Sequence, residues 1–298
     1  MFIEHSYSAQ SQDREFLEAS RSLEDLIFLQ NLYRRYLYRE LDPSGKDTYL
    51  NKIREGVSRE QILHRIKNAK GYNYAQKIAG LAKNVEVISI HIPKTAGTAF
   101  NNILSEVYEK NCLGDANYSP KQLVDDNLIH PNTKAIFGHI PARKYYYYLP
   151  HLPKAKLVTW LREPIHRLIS WYCYCISMPP ESFGAGFQTT VNLNRPSFMD
   201  FAKMPEARNA MSRQLQGVNL SDFYFIGFQD SFESDISSLS NMLNWQKPRI
   251  KPANKNKHGN YQNFAREILS DRNNVKLLHS LNADDMQLYQ EAISFRNS

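Results

Sequence analysis

Val85-Glu-Val-Ile-Ser-Ile-His91-Ile-Pro-Lys94-Thr95-Ala96-Gly97-Thr98 is an apolar segment that runs into a short loop carrying a lysine, a glycine and two threonines. Phe100, Ile103, Leu104, Val107 and Tyr108 follow at helical spacing. Strand, loop and helix in that order aim backbone N–H groups and a helix N-terminus at an anion. Gly97 lets the backbone approach such a ligand closely. Thr95 and Thr98 add hydroxyls, and Lys94 adds a mobile positive charge. The loop is not the G-x-x-x-x-G-K-[ST] loop of triphosphate-binding proteins, because its lysine comes first and no glycine precedes it.

Lys156-Leu-Val-Thr-Trp-Leu161 reads as a second buried strand and continues into Arg162-Glu163-Pro164-Ile-His-Arg167-Leu-Ile-Ser170-Trp-Tyr172. Pro164 suits the first turn of a helix. Arg162 falls at the strand end, and Ser170 lies about two helical turns further on. A guanidinium pairs with phosphate in a bidentate manner, and a hydroxyl completes such a grip. Arg167 stays open between a ligand contact and a solvated or capping place on the outer helix face. Between the two segments, Ala135, Ile136 and Phe137 form a short strand ending in Gly138-His139. Open α/β sheets bind their ligands at such strand ends.

HIPKTAGT resembles the 5′-phosphosulfate loop of sulfotransferases, in the form seen in the carbohydrate sulfotransferases. Arg162 to Tyr172 resembles their 3′-phosphate motif, R-[DENP]-P-x-x-R-x-x-S-x-Y. Gly138-His139 resembles the catalytic segment of the uronosyl 2-O-sulfotransferase branch, and Asn209 to Gly217 a further family segment, N-x-x-x-R-x-L-x-G. The resemblance extends from about Val85 to near the C-terminus. It implies an α/β, three-layer, P-loop-like sulfotransferase fold with a mostly parallel central sheet. It also implies 3′-phosphoadenosine 5′-phosphosulfate (PAPS) as donor, held by Lys94, Thr95, Ala96, Gly97, Thr98, Arg162 and Ser170, with no metal. Lys94 and His139 are then the catalytic residues, His139 acting as base in an in-line sulfuryl transfer to a hydroxyl of a glycan or glycolipid. A small alcohol or phenol is the second acceptor class. His91 and Glu163 compete with His139, since both stand at strand ends and other sulfotransferase branches use a glutamate. Two other classes fare worse. An ATP-dependent kinase needs Mg²⁺ and a true triphosphate loop, and a non-catalytic binding protein has no need of intact Lys94, Arg162, Ser170 and His139.

The acceptor leaves a fainter trace. Ser177 to Phe198, rich in Pro, Gly and Ser, is a candidate acceptor loop. Arg143 and Lys144 suit an acidic sugar, and Tyr145 to Tyr148 either stack on sugar rings or pack inward. Lys247, Arg249, Lys251, Lys255 and Lys257 lie where a loop closes over the nucleotide in family members; a solvated basic loop is the equal alternative. Phe223 to Phe228 reads as a strand, followed by a helical stripe of Phe232, Ile236, Leu239 and Leu243. Asn282 caps a last helix bearing Met286, Tyr289 and Ile293.

With 298 residues, the chain has room for one sizeable α/β domain and a small module. The net charge of +7 suits an anionic nucleotide, and no recognisable nucleic-acid module accompanies it. Three cysteines, an odd number without metal-type spacing, argue against a disulfide scaffold and for a reducing compartment. No signal peptide and no apolar run of about 20 residues is visible, so a soluble, bacterial, cytoplasmic enzyme without a membrane span is expected.

The first eighty residues differ in kind. Leu26, Leu29, Tyr33, Tyr36 and Leu37 make a helical stripe. Leu41 to Gly45 reads as a turn, and a second helix carrying Tyr49, Leu50 and Ile53 closes at Gly56. Ser58-Arg-Glu-Gln61 is a capping box for a third helix with Ile62 and Ile66. Residues 24–66 resemble a small helical module of uncharacterised function, whose partner is unknown. The expected division is residues 1–82, module plus a connection from Asn68 to Lys83, and 83–298, the sulfotransferase domain.

Overall fold

A computed structural model describes residues 13–37, 41–114, 120–139, 141–142, 155–179, 181, 186–246, 248 and 261–297. Arg143, Lys144, Tyr145 to Tyr148 and the basic residues Lys247, Arg249, Lys251, Lys255 and Lys257 lie outside them. The chain forms two compact units: residues 1–83 with 118–131 and 144–153, and residues 84–117, 132–143 and 154–298. Among the described residues, no helix is long and apolar enough to cross a membrane.

The smaller unit is helical. Asp25–Leu32 continues into a π turn, Tyr33–Leu37, and is followed by helices Pro43–Arg54, Arg59–Lys67 and Lys70–Leu81. Leu41 to Gly45, expected as a turn, is instead a helix start. Asp42 accepts the Gly45 N–H at 2.8 Å and Pro43 takes the first helical position, which satisfies an orphan donor that a turn would leave open. Ser58 and Gln61 form the expected capping box. The stretch read as the connection is itself largely helical. Phe16, Phe28, Leu29, Leu32, Tyr33, Ile62 and Ile66 close a core of their own. Arg59 seals it, with its guanidinium over the Phe28 ring and donating to Asp25 at 2.8 Å.

The larger unit is built on five strands: β1 (Val87–Ile90), β2 (Cys112–Leu113), β3 (Ala135–Gly138), β4 (Lys156–Leu161) and β5 (Phe225–Phe228). Their order is β2-β3-β1-β4-β5, and every pairing is parallel. Helices lie on both faces, as a parallel sheet requires. In this unit they are α1 (Gly97–Tyr108), α2 (Pro164–Ser177), α3 (Phe187–Asn194), α4 (Phe198–Lys203), α5 (Ala210–Leu215), α6 (Phe232–Met242), α7 (Tyr261–Ser270), α8 (Arg272–Leu281) and α9 (Ala283–Asn297). Phe100, Ile103 and Leu104 of α1 and Ile236 and Leu239 of α6 pack on Val87, Ala135, Val158 and Trp160. Trp160 stands opposite Gly227 in the β4–β5 register, where a Cβ would come within 2.3 Å of the indole. Beside the sheet, α2, α4, α7 and α8 share a second core through Leu168, Ile169, Phe198, Phe201, Ile268 and Leu278.

Several motif residues turn out to hold this helical layer together. Arg167 does not sit on an outer face: it is fully buried, with Nε 3.9 Å from Asp285 and Nη2 donating to the Ala207 carbonyl at 3.1 Å. Burial pulls its pKa down to about 10, against the opposing pull of Asp285. Asp285 also accepts the backbone N–H groups of Met211 and Ser212, capping α5. Asn209 and Arg213 likewise bind framework: the Asn209 amide donates to Asp284, and Arg213 donates to the Pro205 and Glu206 carbonyls. Asn282 precedes α9, but its side chain is spent on the Leu278 carbonyl and the Asn209 N–H rather than on a cap. Removing Asp285 strands a buried guanidinium and uncaps α5. Asp285→Ala is expected to cost about 3–5 kcal/mol of unfolding free energy, and Arg167→Met, which removes the charge itself, markedly less. Urea denaturation of the two variants checks the order.

Candidate active site

The strand order places β1 between β3 and β4, so the three carboxyl ends lie side by side. The chain leaves β1 for β2 and β3 on one side and then crosses to β4 and β5 on the other. This is the switch point at which open α/β sheets bind ligands. The residues that follow the three ends are His91, His139 and, at the end of β4, Arg162.

The register continues one residue past the β1–β3 ladder. The His91 N–H donates to the Gly138 carbonyl at 3.0 Å, and the His91 carbonyl accepts from Nδ1 of His139 at 3.0 Å. Side chains opposite each other on adjacent parallel strands share a face, and the two imidazoles stack with centroids 4.0 Å apart. A carbonyl only accepts, so Nδ1 of His139 carries a proton, and in the neutral ring Nε2 is the nitrogen with the lone pair. His139 is exposed, whereas His91 is buried. Burial, helped by His139 and Lys94, drives the His91 pKa down to about 3, so that ring is neutral. Its Nδ1 takes the Asn101 amide at 3.2 Å. A Cβ on Gly97 would lie 1.8 Å from Cδ2 of His91, so this glycine makes room for the ring.

Between His91 and α1 the backbone is left-handed at Lys94 (φ 70) and at Ala96 (φ 76), neither of them glycine. Such residues cost of order 1–3 kcal/mol each and persist where the surroundings impose them. Interleaved with ordinary residues, they curl successive N–H groups toward one side, the nest geometry that receives anions. Ala96 is the N-cap of α1 and offers no side-chain acceptor, so the first N–H groups of that helix remain open to a ligand. Thr98 is exposed there. Thr95 is buried, and its hydroxyl donates to the Ile92 carbonyl at 2.9 Å, holding the loop closed.

Two cations adjoin this loop. Lys94 lies over the Tyr174 ring, its Nζ 4.3 Å from the centroid, and both burial and the neighbouring Arg162 lower its pKa. Arg162 donates to the Lys94 carbonyl at 3.3 Å and to the Tyr261 hydroxyl at 2.9 Å, while its buried Nε has no acceptor among the described residues. Among the described residues, no carboxylate pairs with either cation. Glu163 is engaged elsewhere, accepting the His166 N–H at 2.6 Å as the N-cap of α2. Ser170 is buried on the same helix. Among the described residues, a guanidinium donor without acceptor, two cations without a carboxylate partner and a helix start without a side-chain cap fit a polyanionic ligand such as PAPS. Cys173 and Cys175, also on α2, are free thiols raised by burial to about 11 and about 12.

The sequence reading had not singled out Tyr174, Asn101, His166 or Tyr261. Tyr261 had one available signal, its place at the head of a helix directly after the basic run. The others depend on which helix faces meet.

The fold is an open parallel α/β sheet with a strand–loop–helix turn, Lys94 to Thr98, at its switch point. Residues 81–290, more than half of the chain, match the sulfotransferase family, and the chain belongs to it. Residues 8–75 match a domain of unknown function, DUF4214. No curated protein and no solved structure matches the chain.

The neutral His91 makes a pH prediction. Its folded pKa, about 3, is far below the ordinary 6.5. The stability it contributes is complete above pH 6.5 and is lost as pH falls toward 3, because the unfolded chain binds the proton first. His91→Asn is expected to flatten the acid limb of stability against pH over that window, measured by denaturant titration at several pH values.

Proposed function

We propose that the protein is a PAPS-dependent sulfotransferase whose acceptor is a hydroxyl of a glycan or glycolipid. The observation that carries this is the meeting of an oriented imidazole, His139, with Lys94 and Arg162, which have no carboxylate partner among the described residues, at a helix start without a side-chain cap. Bound PAPS would supply the sulfuryl group and the nucleotide leaving group. The loop from Lys94 to Thr98 holds the 5′-phosphosulfate through its N–H groups, the Thr98 hydroxyl and the Lys94 ammonium. Arg162, with Ser170 on α2, takes the 3′-phosphate. His139 removes the acceptor proton on Nε2 as the new O–S bond forms, and its Nδ1–H bond to His91 keeps the ring aimed and steadies the imidazolium. Lys94 meets the negative charge that collects on the bridging oxygen as the old S–O bond breaks.

The competing bases have weaker claims. His91 is buried and too weakly basic at neutral pH, and Glu163 is occupied as a helix cap. Support for a sugar acceptor comes from a groove of about 670 Å³ lined by Trp171, Phe187, Gln188, Glu206 and Arg213. Aromatic faces beside a few polar groups suit a sugar ring. Part of this groove belongs to the Ser177–Phe198 segment expected to meet the acceptor.

His139→Ala is expected to retain affinity for 3′-phosphoadenosine 5′-phosphate while sulfate transfer to a glycan panel falls roughly 10²–10⁴-fold. Glu163→Gln should remain active. An active His139→Ala beside an inactive but nucleotide-binding Glu163→Gln would reassign the base. For Lys94→Ala, turnover should drop roughly 10²–10³-fold, the loss seen on removing one donor to a developing oxyanion.

A further inference from the structure

We infer that Tyr261 is the positioning residue that fixes the Arg162 guanidinium for the 3′-phosphate, and so sets selectivity for 3′-phosphorylated nucleotides. This rests on the assignment of Arg162 to that phosphate.

Tyr261 opens α7 and reaches back to the end of β4. Its hydroxyl accepts from Nη2 of Arg162 at 2.9 Å, and among the described residues the other hydrogen bond of Arg162 goes to the Lys94 carbonyl, at a looser 3.3 Å. The phenol oxygen also lies 3.3 Å from both the carbonyl and Nδ1 of His166, in the first turn of α2. Burial raises the phenol pKa, so its proton stays in place. The ring also lies near the cation, with its centroid 5.7 Å from the guanidinium carbon. A guanidinium is a planar fork, and two anchors on different nitrogens fix its plane. One anchor here is the anion loop and the other is Tyr261, itself tied to α2. The fork is thereby held with a buried Nε that has no acceptor among the described residues. Without the hydroxyl, the fork pivots about the single long contact to Lys94, and bidentate phosphate recognition, which depends on orientation, suffers most. The loop that meets the 5′ end is untouched.

The test is calorimetric titration of the full chain with 3′-phosphoadenosine 5′-phosphate and with AMP, using wild type, Tyr261→Phe, Arg162→Ala and the double variant. Wild type should prefer the bisphosphate. Tyr261→Phe should lower bisphosphate affinity roughly tenfold, the worth of one charge-assisted hydrogen bond, and leave AMP affinity unchanged. In the Arg162→Ala background the same change should have no further effect. A discriminating wild type with an equally discriminating Tyr261→Phe overturns the role of Tyr261 and leaves that of Arg162 standing. Equal loss of both nucleotides in Tyr261→Phe, or additive losses in the double variant, also overturns it. A wild type with no preference, or an Arg162→Ala that keeps the preference, overturns the 3′-phosphate assignment itself.

Discussion

The parallel register of β3, β1 and β4 is the constraint on which the site depends. Neighbouring strands lie about 4.8 Å apart, and residues paired across a parallel ladder point to the same face. Once Ile90 pairs with Gly138 and Thr159, the residues just beyond the ladder have little freedom. His91 and His139 must stack, and the His91 backbone is bonded to the β3 end through both its N–H and its carbonyl. Strand pairing therefore supplies the backbone carbonyl that fixes the Nδ1 proton of His139. A one-residue slip would turn His139 to the other face and release that bond.

Electrostatically, the site is left incomplete by the protein. Lys94 and Arg162 repel each other, neither has a carboxylate partner and the buried Nε of Arg162 has no acceptor among the described residues, and Lys94 and Ala96 hold left-handed backbone. The charge repulsion and the unmet donor are both unfavourable, and an anion with several oxygens is the kind of group that would offset them. The neutral His91 belongs to the same logic. A third positive charge beside Lys94 would add repulsion, and burial against Gly97 keeps that ring uncharged.

The motif residues divide into two groups with different work. Lys94, Arg162 and His139 stand at strand ends and present donors or a lone pair to the site. Arg167, Asn209 and Arg213 are written into the same family patterns, yet they bind carbonyls and carboxylates inside the helical layer. Arg167 and Asp285 join α2, α5 and α9. A family motif thus holds both kinds of residue, and the hydrogen-bond partners of each tell them apart.

Much of this was legible in the chain itself. Apolar runs ending at Ile90, Gly138 and Leu161 announced the strands, Pro164 and the spacing of Phe100, Ile103 and Leu104 announced the helices, and the residues from Lys94 to Thr98 announced the loop that joins β1 to α1. These signals are local: periodicity, capping and turn chemistry act over a few residues. Leu41 to Gly45 shows their limit, since Asp-Pro serves a turn or a helix start equally well until the helix is packed, here with Gly45 against Tyr33. What tertiary structure alone decided is which distant residues meet. Strand order put His139 beside His91. The packing of α7 on α2 brought Tyr261 to Arg162, and the burial of Arg167 against Asp285 turned a seeming surface cation into a core tie. Each joins residues far apart in the chain, through contacts that exist only once the sheet has paired and the helices have closed over it.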